Sequence, residues 1–201
     1  EFVLPGPIRR NFNPNNVIFE DYFERTLIGN NWDISALESA SIIDKNGNRI
    51  EANTYTLEQG AKYTGNLNLN NDFKIEASLE WISRTSDLGR VGVGVFDESD
   101  NRLAYGGIHD EQASQNPGYQ VIIDGDPDIS WFSGYDTRPF SGSVIIKIIR
   151  IDNYLYLYEN DTLRLSGIMN STVKYIILIN SRYQSYSGKT AKWNYIKVTN
   201  S

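Results

Sequence analysis

The side chains of this chain that could do chemistry are aromatic rings, amides and a few charges, and many of them fall between positions 90 and 135. A protein that binds sugar needs rings that cover the apolar face of a pyranose and polar groups that bond its hydroxyls. The candidate binding residues of both kinds are Arg90, Arg102, Tyr105, His109, Gln112, Asn116, Tyr119, Trp131 and Tyr135. We predict that hairpins bring these residues together on one carbohydrate-binding surface.

Parts of this region also have a structural interpretation. Four glycines occur here: Gly92, Gly94, Gly106 and Gly107. They would leave room for a ligand on a sheet face, but glycines equally relieve strand curvature and bulges. Arg90 and Arg102 could clamp a carboxylate or sugar hydroxyls, or they could be edge charges that discourage sheet pairing. His109 could likewise be a surface histidine without a functional role.

An acidic segment follows, with carboxylates at the alternate positions Asp124, Asp126 and Asp128. Calcium loops present oxygen ligands in this way. The EF-hand pattern does not fit, because the sixth position is Ile129 instead of Gly and the twelfth is Tyr135 instead of Glu. The segment is therefore either a structural calcium site or a solvated acidic turn, and the sequence implies no other cofactor.

The residues of common catalytic sites are scarce. The chain has no cysteine and one histidine, which excludes a thiolate nucleophile and a two-histidine metal site. Glu76 and Glu80 are the nearest carboxylates that share a strand face, but four residues of strand separate them by about 13 Å. Glycosidases need about 5 to 9.5 Å. We therefore predict a protein that is not an enzyme.

Composition excludes further classes of function. The 201 residues carry a net charge of -6, which disfavours a nucleic-acid partner because such binding depends on Lys and Arg neutralising phosphates. The strongest apolar runs, 144–151 and 175–179, are far shorter than the roughly 20 residues that span a bilayer. With 40% hydrophobic and 22% charged residues, the chain is expected to fold.

Alternation of apolar and polar residues predicts the elements that position these groups. From Phe73 to Trp81 every second residue is apolar, which is typical of a half-buried strand. About a dozen such runs, separated by turn residues, indicate an antiparallel β sandwich with almost no helix. Residues 1–16 contain three prolines and show no period, so we predict an N-terminal arm or linker there and a single domain over 17–201.

The run from Val144 to Leu165 reads as three strands joined by tight turns at Asp152-Asn153 and Asn160-Asp161. With its Ile148–Asp161 core, this meander resembles a signature of concanavalin A-like jelly-roll domains, including laminin-G-like modules. Residues 19–23 with Asn31-Trp32 resemble their opening strand, and residues 193–198 resemble their closing strand. The resemblance covers about residues 17–199 and implies an all-β, two-sheet jelly-roll sandwich.

The resemblance also bears on activity and metal binding. Related β-glucanases carry a Glu-x-Asp-x-x-Glu motif; Glu98-Ser99-Asp100 matches its first half, but Leu103 replaces the second Glu. Relatives often hold calcium where their first and last strands meet, which would involve Glu20, Asp21 and Asn194 here. The resemblance implies a lectin-like, non-catalytic carbohydrate-binding module of a larger protein that is secreted or displayed on a cell or virion surface, with glycan as its partner.

Two other functions remain open. The chain could be a structural or adhesion domain of a virion, fibre or cell-surface assembly, with Tyr154, Tyr156 and Tyr158 as a protein interface. These tyrosines could equally form a cross-strand ladder that shields the sheet. The other function is a glycoside hydrolase or polysaccharide lyase with an atypical catalytic pair.

Overall fold

The computed structural model describes residues 16–23, 29–35, 39–41, 49–51, 60–67, 69–82, 89–110, 118–124, 129–133, 141–181 and 190–201. These residues form fifteen strands and no helix. The strands are β1 (Val17–Asp21), β2 (Trp32–Asp33), β3 (Ser39–Ser41), β4 (Arg49–Glu51), β5 (Gly60–Tyr63), β6 (Phe73–Ile82), β7 (Gly89–Phe96), β8 (Arg102–Asp110), β9 (Gly118–Ile123), β10 (Ile129–Phe132), β11 (Ser141–Ile151), β12 (Tyr154–Glu159), β13 (Thr162–Ile168), β14 (Tyr175–Ser181) and β15 (Thr190–Asn200).

One layer of the fold is a six-stranded antiparallel sheet in the order β1-β15-β6-β11-β12-β13. The alternation in β6 has the predicted effect, since Phe73, Ile75 and Leu79 are buried while Lys74 and Glu76 lie on the outer face. The predicted meander is β11-β12-β13. Its turns use positive φ angles at Asp152, Asn160 and Asp161, as tight hairpins require.

The other layer is a seven-stranded antiparallel sheet in the order β10-β9-β8-β7-β14-β5-β2. Its inner face presents Val91, Val93 and Val95 of β7, all fully buried, to the first sheet. Strands β3 and β4 form a separate hairpin. The two sheets enclose one main hydrophobic core, so the predicted antiparallel two-sheet sandwich is confirmed.

Two buried carboxylates accept hydrogen bonds from residues of edge strands. Glu159 is almost fully buried, and its carboxylate accepts a hydrogen bond from Arg164 Nε at 3.0 Å. The Arg164 guanidinium lies over the ring of Trp131, 4.6 Å from its centroid. Asp21 is also buried and accepts from the Trp32 indole N–H at 2.9 Å. These contacts fix the sheet edges on which the functional surfaces depend.

Of the predicted N-terminal arm, residues 1–15 lie outside the described part of the chain, whereas Asn16 accepts a backbone hydrogen bond from Asn200. None of the described residues forms a helix that is long and apolar enough to cross a membrane.

Candidate functional site

The outer face of the seven-stranded sheet, which is turned away from the core, gathers several of the predicted ligand residues. Arg90 of β7 lies directly opposite His109 of β8. Gln120 of β9 lies opposite Gly107 on one side and opposite Phe132 of β10 on the other. We call Arg90, His109, Gln120 and Phe132 the Arg90 cluster.

Glycines line this face because neighbouring strands approach too closely for any side chain. A Cβ atom at Gly107 would lie 2.2 Å from the carbonyl oxygen of Val91, and one at Gly92 would lie 2.2 Å from that of Gly106. Real Cβ atoms essentially never come within 3.0 Å of another heavy atom. The glycines therefore permit close strand pairing along this strip of the face, which is the structural interpretation that the sequence suggested.

Tyr105 forms the floor of the strip. Its hydroxyl donates to the carbonyl oxygen of Ile108 at 2.9 Å and lies 3.3 Å from that of Val91, and the ring is fully buried. The Arg90 guanidinium lies 5.6 Å from the centroid of this ring. Tyr105 thus supports the cluster from below and does not offer its own face to a ligand.

The Arg90 cluster combines a ring with hydrogen-bonding groups. The His109 ring lies 5.4 Å from the Phe132 ring and is largely buried, whereas Arg90, Gln120 and Phe132 remain partly accessible. Gln120 Oε1 is buried, and no described residue donates a hydrogen bond to it. A buried acceptor without a donor is rare in folded proteins and calls for a water molecule or a ligand.

A second feature is an open cavity of about 380 Å³ at the β2 edge of the same sheet. We call it the edge cavity. Its lining residues are Asp33, Lys62, Tyr63, Thr64, Gly65, Asn66, Lys174 and Tyr175. The size falls within the range of small-molecule sites.

Tyr175, which lines the edge cavity, is held from several sides. Its ring stacks on Phe96 with centroids 5.2 Å apart, and Lys62 Nζ lies 3.6 Å from its centroid. The hydroxyl donates to Asp100 Oδ1 at 2.5 Å, and the same oxygen is 3.5 Å from Lys62 Nζ. Burial, and then the hydrogen bond to Asp100, raise the pKa of Tyr175 well above its ordinary value. The ring therefore stays neutral and fixed.

Asp33 supplies a negative charge to the edge cavity. Hydrogen bonds from Ser35, together with the charge of Lys62, hold the pKa of this carboxyl below its ordinary value. Asp33 lies opposite Lys62 in the pairing of β2 with β5. It is therefore ionised at neutral pH.

Two predicted ligand residues point away from the outer face. Tyr119 lies opposite Ile108 and belongs to the buried core. Trp131 packs against that same core and lies under Arg164. The structure thus separates these two rings from the Arg90 cluster by the thickness of the sheet.

Arg102 and Asp124 bind each other. Arg102 Nε donates to one carboxylate oxygen and Nη2 to the other, both at 2.6 Å. This bidentate pair occupies both oxygens of the one described carboxylate of the predicted calcium loop. The remaining predicted ligand and metal residues, Gln112, Asn116, Asp126, Asp128 and Tyr135, lie outside the described residues.

The other carboxylates singled out in the sequence have protein partners. Asp97 accepts from the backbone N–H groups of Ser99 and Asn101, which closes the turn after β7. Asn194 donates to Glu80, and Asp21 accepts from the backbone N–H of Phe23 as well as from Trp32. Within the described ranges, no three His, Cys, Asp or Glu residues are grouped so that they could hold a metal ion.

Glu76 lies in a charge network on the outer face of the six-stranded sheet. It accepts from Tyr195 Oη at 2.8 Å and from Lys74 Nζ at 3.1 Å. Of the three β12 tyrosines on that face, Tyr154 is 48% exposed, Tyr156 only 8%, and Tyr158 is half-buried. Because β6 belongs to the six-stranded sheet, Glu76 and Glu80 lie on the other sheet from the Arg90 cluster.

Sequence reasoning did not find Gln120, Phe132, Lys62 or Lys174. For Gln120 and Phe132 a signal existed, because each directly follows a ring that packs in the core, Tyr119 or Trp131. Strand alternation then places Gln120 and Phe132 on the opposite face of the sheet. Lys62 and Lys174 carried no such signal, because they are 112 positions apart and line the same cavity only because β5 pairs with β14.

Comparison with solved structures identifies the architecture. The chain is similar to a GH43 protein from Bacillus licheniformis, with a TM-score of 0.65 and 11% identity over 98% of this chain and 41% of that protein. It is also similar to the CBM2 module of the evolved Dit of Lactobacillus casei BL23 phage J-1, with a TM-score of 0.55 and 11% identity over 91% and 94% of the two chains. An alginate lyase from Pseudomonas aeruginosa has a TM-score of 0.53 and 13% identity over 77% and 79%.

The chain thus spans less than half of the GH43 protein and most of the other two. No protein-family model matches it, and no curated protein matches its sequence. Its identities to the solved structures are low, so the shared property is the arrangement of strands in two antiparallel sheets. This chain therefore has the concanavalin A-like jelly-roll fold that the order of its sequence motifs predicts.

Proposed function

We propose that the chain is a carbohydrate-binding domain that holds sugar against the outer face of its seven-stranded sheet, at the Arg90 cluster. The observation that carries this proposal is the buried Gln120 Oε1, which no described residue satisfies. A sugar hydroxyl is a donor of the right kind for this oxygen.

The rest of the cluster suits the same ligand. The Phe132 ring offers an apolar face to a pyranose, and Arg90 carries several N–H donors for hydroxyl oxygens. Gly107, directly opposite Gln120, adds no side chain beside it. Because the paired strands hold these groups in place, binding would cost little conformational entropy.

The structural comparisons support a carbohydrate ligand. Two of the similar structures are described as an alginate lyase and a CBM2 module, and both share most of their length with this chain. A secreted or surface-displayed location would follow, because a protein encounters polysaccharides outside the cell. Calcium binding and protein partners in an assembly stay predictions.

The binding proposal is tested by calorimetric titration with a panel of neutral and acidic oligosaccharides. We expect Gln120→Ala and Phe132→Ala each to weaken binding by about tenfold, which corresponds to one lost hydrogen bond or stacking contact. Tyr154→Ala, on the outer face of the other sheet and 48% exposed, is the control and should bind as the wild type does. Unchanged affinity in both test variants, with their folding confirmed by circular dichroism, would contradict the proposal.

A second candidate function is a polysaccharide lyase, favoured by the direct pairing of Arg90 with His109. In such a reaction the guanidinium neutralises a uronate carboxylate, which makes the neighbouring C–H more acidic. The imidazole takes that proton, the electron pair of the C–H bond forms a C=C bond as the C–O bond to the leaving sugar breaks, and the imidazolium gives the proton to the leaving oxygen.

The two functions are separated by incubating the protein with acidic polysaccharides and following the ultraviolet absorbance of the unsaturated product. Binding alone predicts no increase in absorbance. An increase that is lost in His109→Ala, while Gln120→Ala retains part of it, would establish the lyase instead.

A further inference from the structure

We propose that the edge cavity is a second carbohydrate site, one that selects a neutral sugar residue over an acidic one. This inference rests on the proposed function for the class of ligand, but it concerns different residues. The cavity and the Arg90 cluster lie at opposite ends of β7, since Phe96 contacts Tyr175 while Arg90 lies six residues away, about 20 Å along a strand.

The cavity offers hydrogen-bonding groups that the protein itself does not use. Within the described part of the chain, neither the Asn66 amide nor the Tyr63 hydroxyl has a hydrogen-bond partner. The amide supplies donors and an acceptor, and the hydroxyl supplies one of each. A ligand rich in hydroxyls can donate to and accept from the same wall, as these groups require.

The charges in and beside the cavity sum to zero, so they give an anion no net attraction, and a uronate would meet two carboxylates. Its lining carries two ammonium groups, Lys62 and Lys174, and one carboxylate, Asp33. Asp100 lies 3.5 Å from Lys62 Nζ and offsets it. A uronate would have to displace Asp100 from Lys62 and approach Asp33, whereas a neutral vicinal diol can accept from Lys62 and donate to Asp33 at once.

The walls are held in place before any ligand arrives. Tyr175 is fixed by Phe96, Lys62 and Asp100. The Tyr63 ring packs on Phe19 with centroids 4.0 Å apart. The Thr64 hydroxyl donates to the Asn30 carbonyl oxygen at 2.9 Å, which ties the cavity wall to the segment before β2. A rigid site of this kind loses little entropy on binding.

The test uses the whole chain and NMR titration with neutral trisaccharides of glucose, mannose, galactose and xylose, matched by the trisaccharides of mannuronate and galacturonate. Backbone amide shifts of Gly65 and Asn66 report the edge cavity, and those of Gln120 and Phe132 report the Arg90 cluster. We expect at least one neutral trisaccharide to shift Gly65 and Asn66, and the uronates to bind there at least tenfold more weakly.

Two variants probe the contacts and one serves as a control. Asn66→Ala should weaken cavity binding by about tenfold, and Asp33→Asn should narrow the preference for neutral over acidic sugar, since it removes a repelling charge. Asn153→Ala, in the turn after β11 on the other sheet, should change neither the affinity of the cavity nor its preference for neutral sugar. All three positions are exposed, and the side-chain oxygen that Asp33→Asn retains can still accept from the Ser35 N–H.

The outcomes separate this inference from the proposed function. Loss of the Gly65 and Asn66 shifts in Asn66→Ala, with the Gln120 shifts retained, supports two sites. If sugar still shifts Gly65 and Asn66, but Gln120→Ala changes neither the shifts nor the affinity, the edge cavity is supported as a binding site and the Arg90 cluster is refuted as one. The inference is overturned if no neutral trisaccharide shifts Gly65 and Asn66, or if a uronate binds there more tightly than its neutral counterpart.

Discussion

Replacing Gly107 with alanine tests whether close strand pairing shapes the outer face of the seven-stranded sheet. The new Cβ would lie 2.2 Å from the Val91 carbonyl oxygen, 2.6 Å from Gly92 Cα and 2.6 Å from Tyr105 Oη. Two of these atoms are backbone, so no side chain can move aside to relieve the clash. Strands β7 and β8 would have to separate, and the Tyr105 hydroxyl would be pushed from its bond to Ile108.

Two opposing effects set the change in the free energy of unfolding that Gly107→Ala should cause. Overpacking destabilises the folded protein by up to about 3 kcal/mol. Alanine also lowers the conformational entropy of the unfolded chain, which stabilises the folded protein by about 0.7 kcal/mol. The net loss of about 2 kcal/mol corresponds to a fall in Tm of roughly 4 to 8 °C for a chain of this size. Calorimetry or thermal circular dichroism would measure it, and sugar affinity at the Arg90 cluster should fall as well.

Gly167→Ala is the matched control, because its Cβ would meet the Cδ1 atom of Ile129 at 2.4 Å, the free end of a flexible side chain. Its Tm should stay within about 2 °C of the wild type. If Gly107→Ala and Gly167→Ala have the same Tm, close pairing is not what requires glycine at this position, and the account of the outer face is wrong.

Three further predictions concern the polar groups that hold the sandwich. Burial alone would raise the pKa of Glu76, but hydrogen bonds from Tyr195 and Lys74 and the nearby lysine charges outweigh that effect and hold the pKa below its ordinary value. Glu76→Gln should therefore cost about 2 kcal/mol at pH 7. The difference should vanish near pH 2, where the carboxyl is protonated in both the folded and the unfolded protein, as urea unfolding at both pH values would show. Arg164→Met should cost about 3 kcal/mol because it removes a partner of the buried Glu159 carboxylate, whereas the double variant with Glu159→Leu should come within about 1 kcal/mol of the wild type; a double variant as unstable as the single one would argue against that pairing. Trp32→Phe should cost about 2 kcal/mol through the lost hydrogen bond to buried Asp21, and a Tm equal to that of the wild type would show that the bond contributes nothing.

Residue alternation and turn chemistry were sufficient to predict most of the strands. The alternating run from Phe73 to Trp81 falls within β6, and the two turns of the meander fall where the Asp-Asn and Asn-Asp pairs predict them. These features are local, since each depends on residues within about ten positions of one another.

The candidate site was predicted less completely. Arg90, Tyr105 and His109 do share one face, but Tyr119 and Trp131 lie on the other. Which face a residue occupies depends on the parity of its position within the strand, and a shift of one residue reverses it.

By itself, the sequence determined the class of fold, the order of the strands along the chain and the absence of cysteine- or histidine-rich chemistry, because periodicity, turns and composition are properties of the chain before it folds. Only the tertiary structure decided that Asp100 contacts Lys62 and Tyr175 beside the edge cavity, and that Arg102 binds Asp124. The physical reason is that strands adjacent in an antiparallel sandwich can be distant in sequence. The contacts that distinguish a binding group from a structural one therefore form only when the sheets assemble.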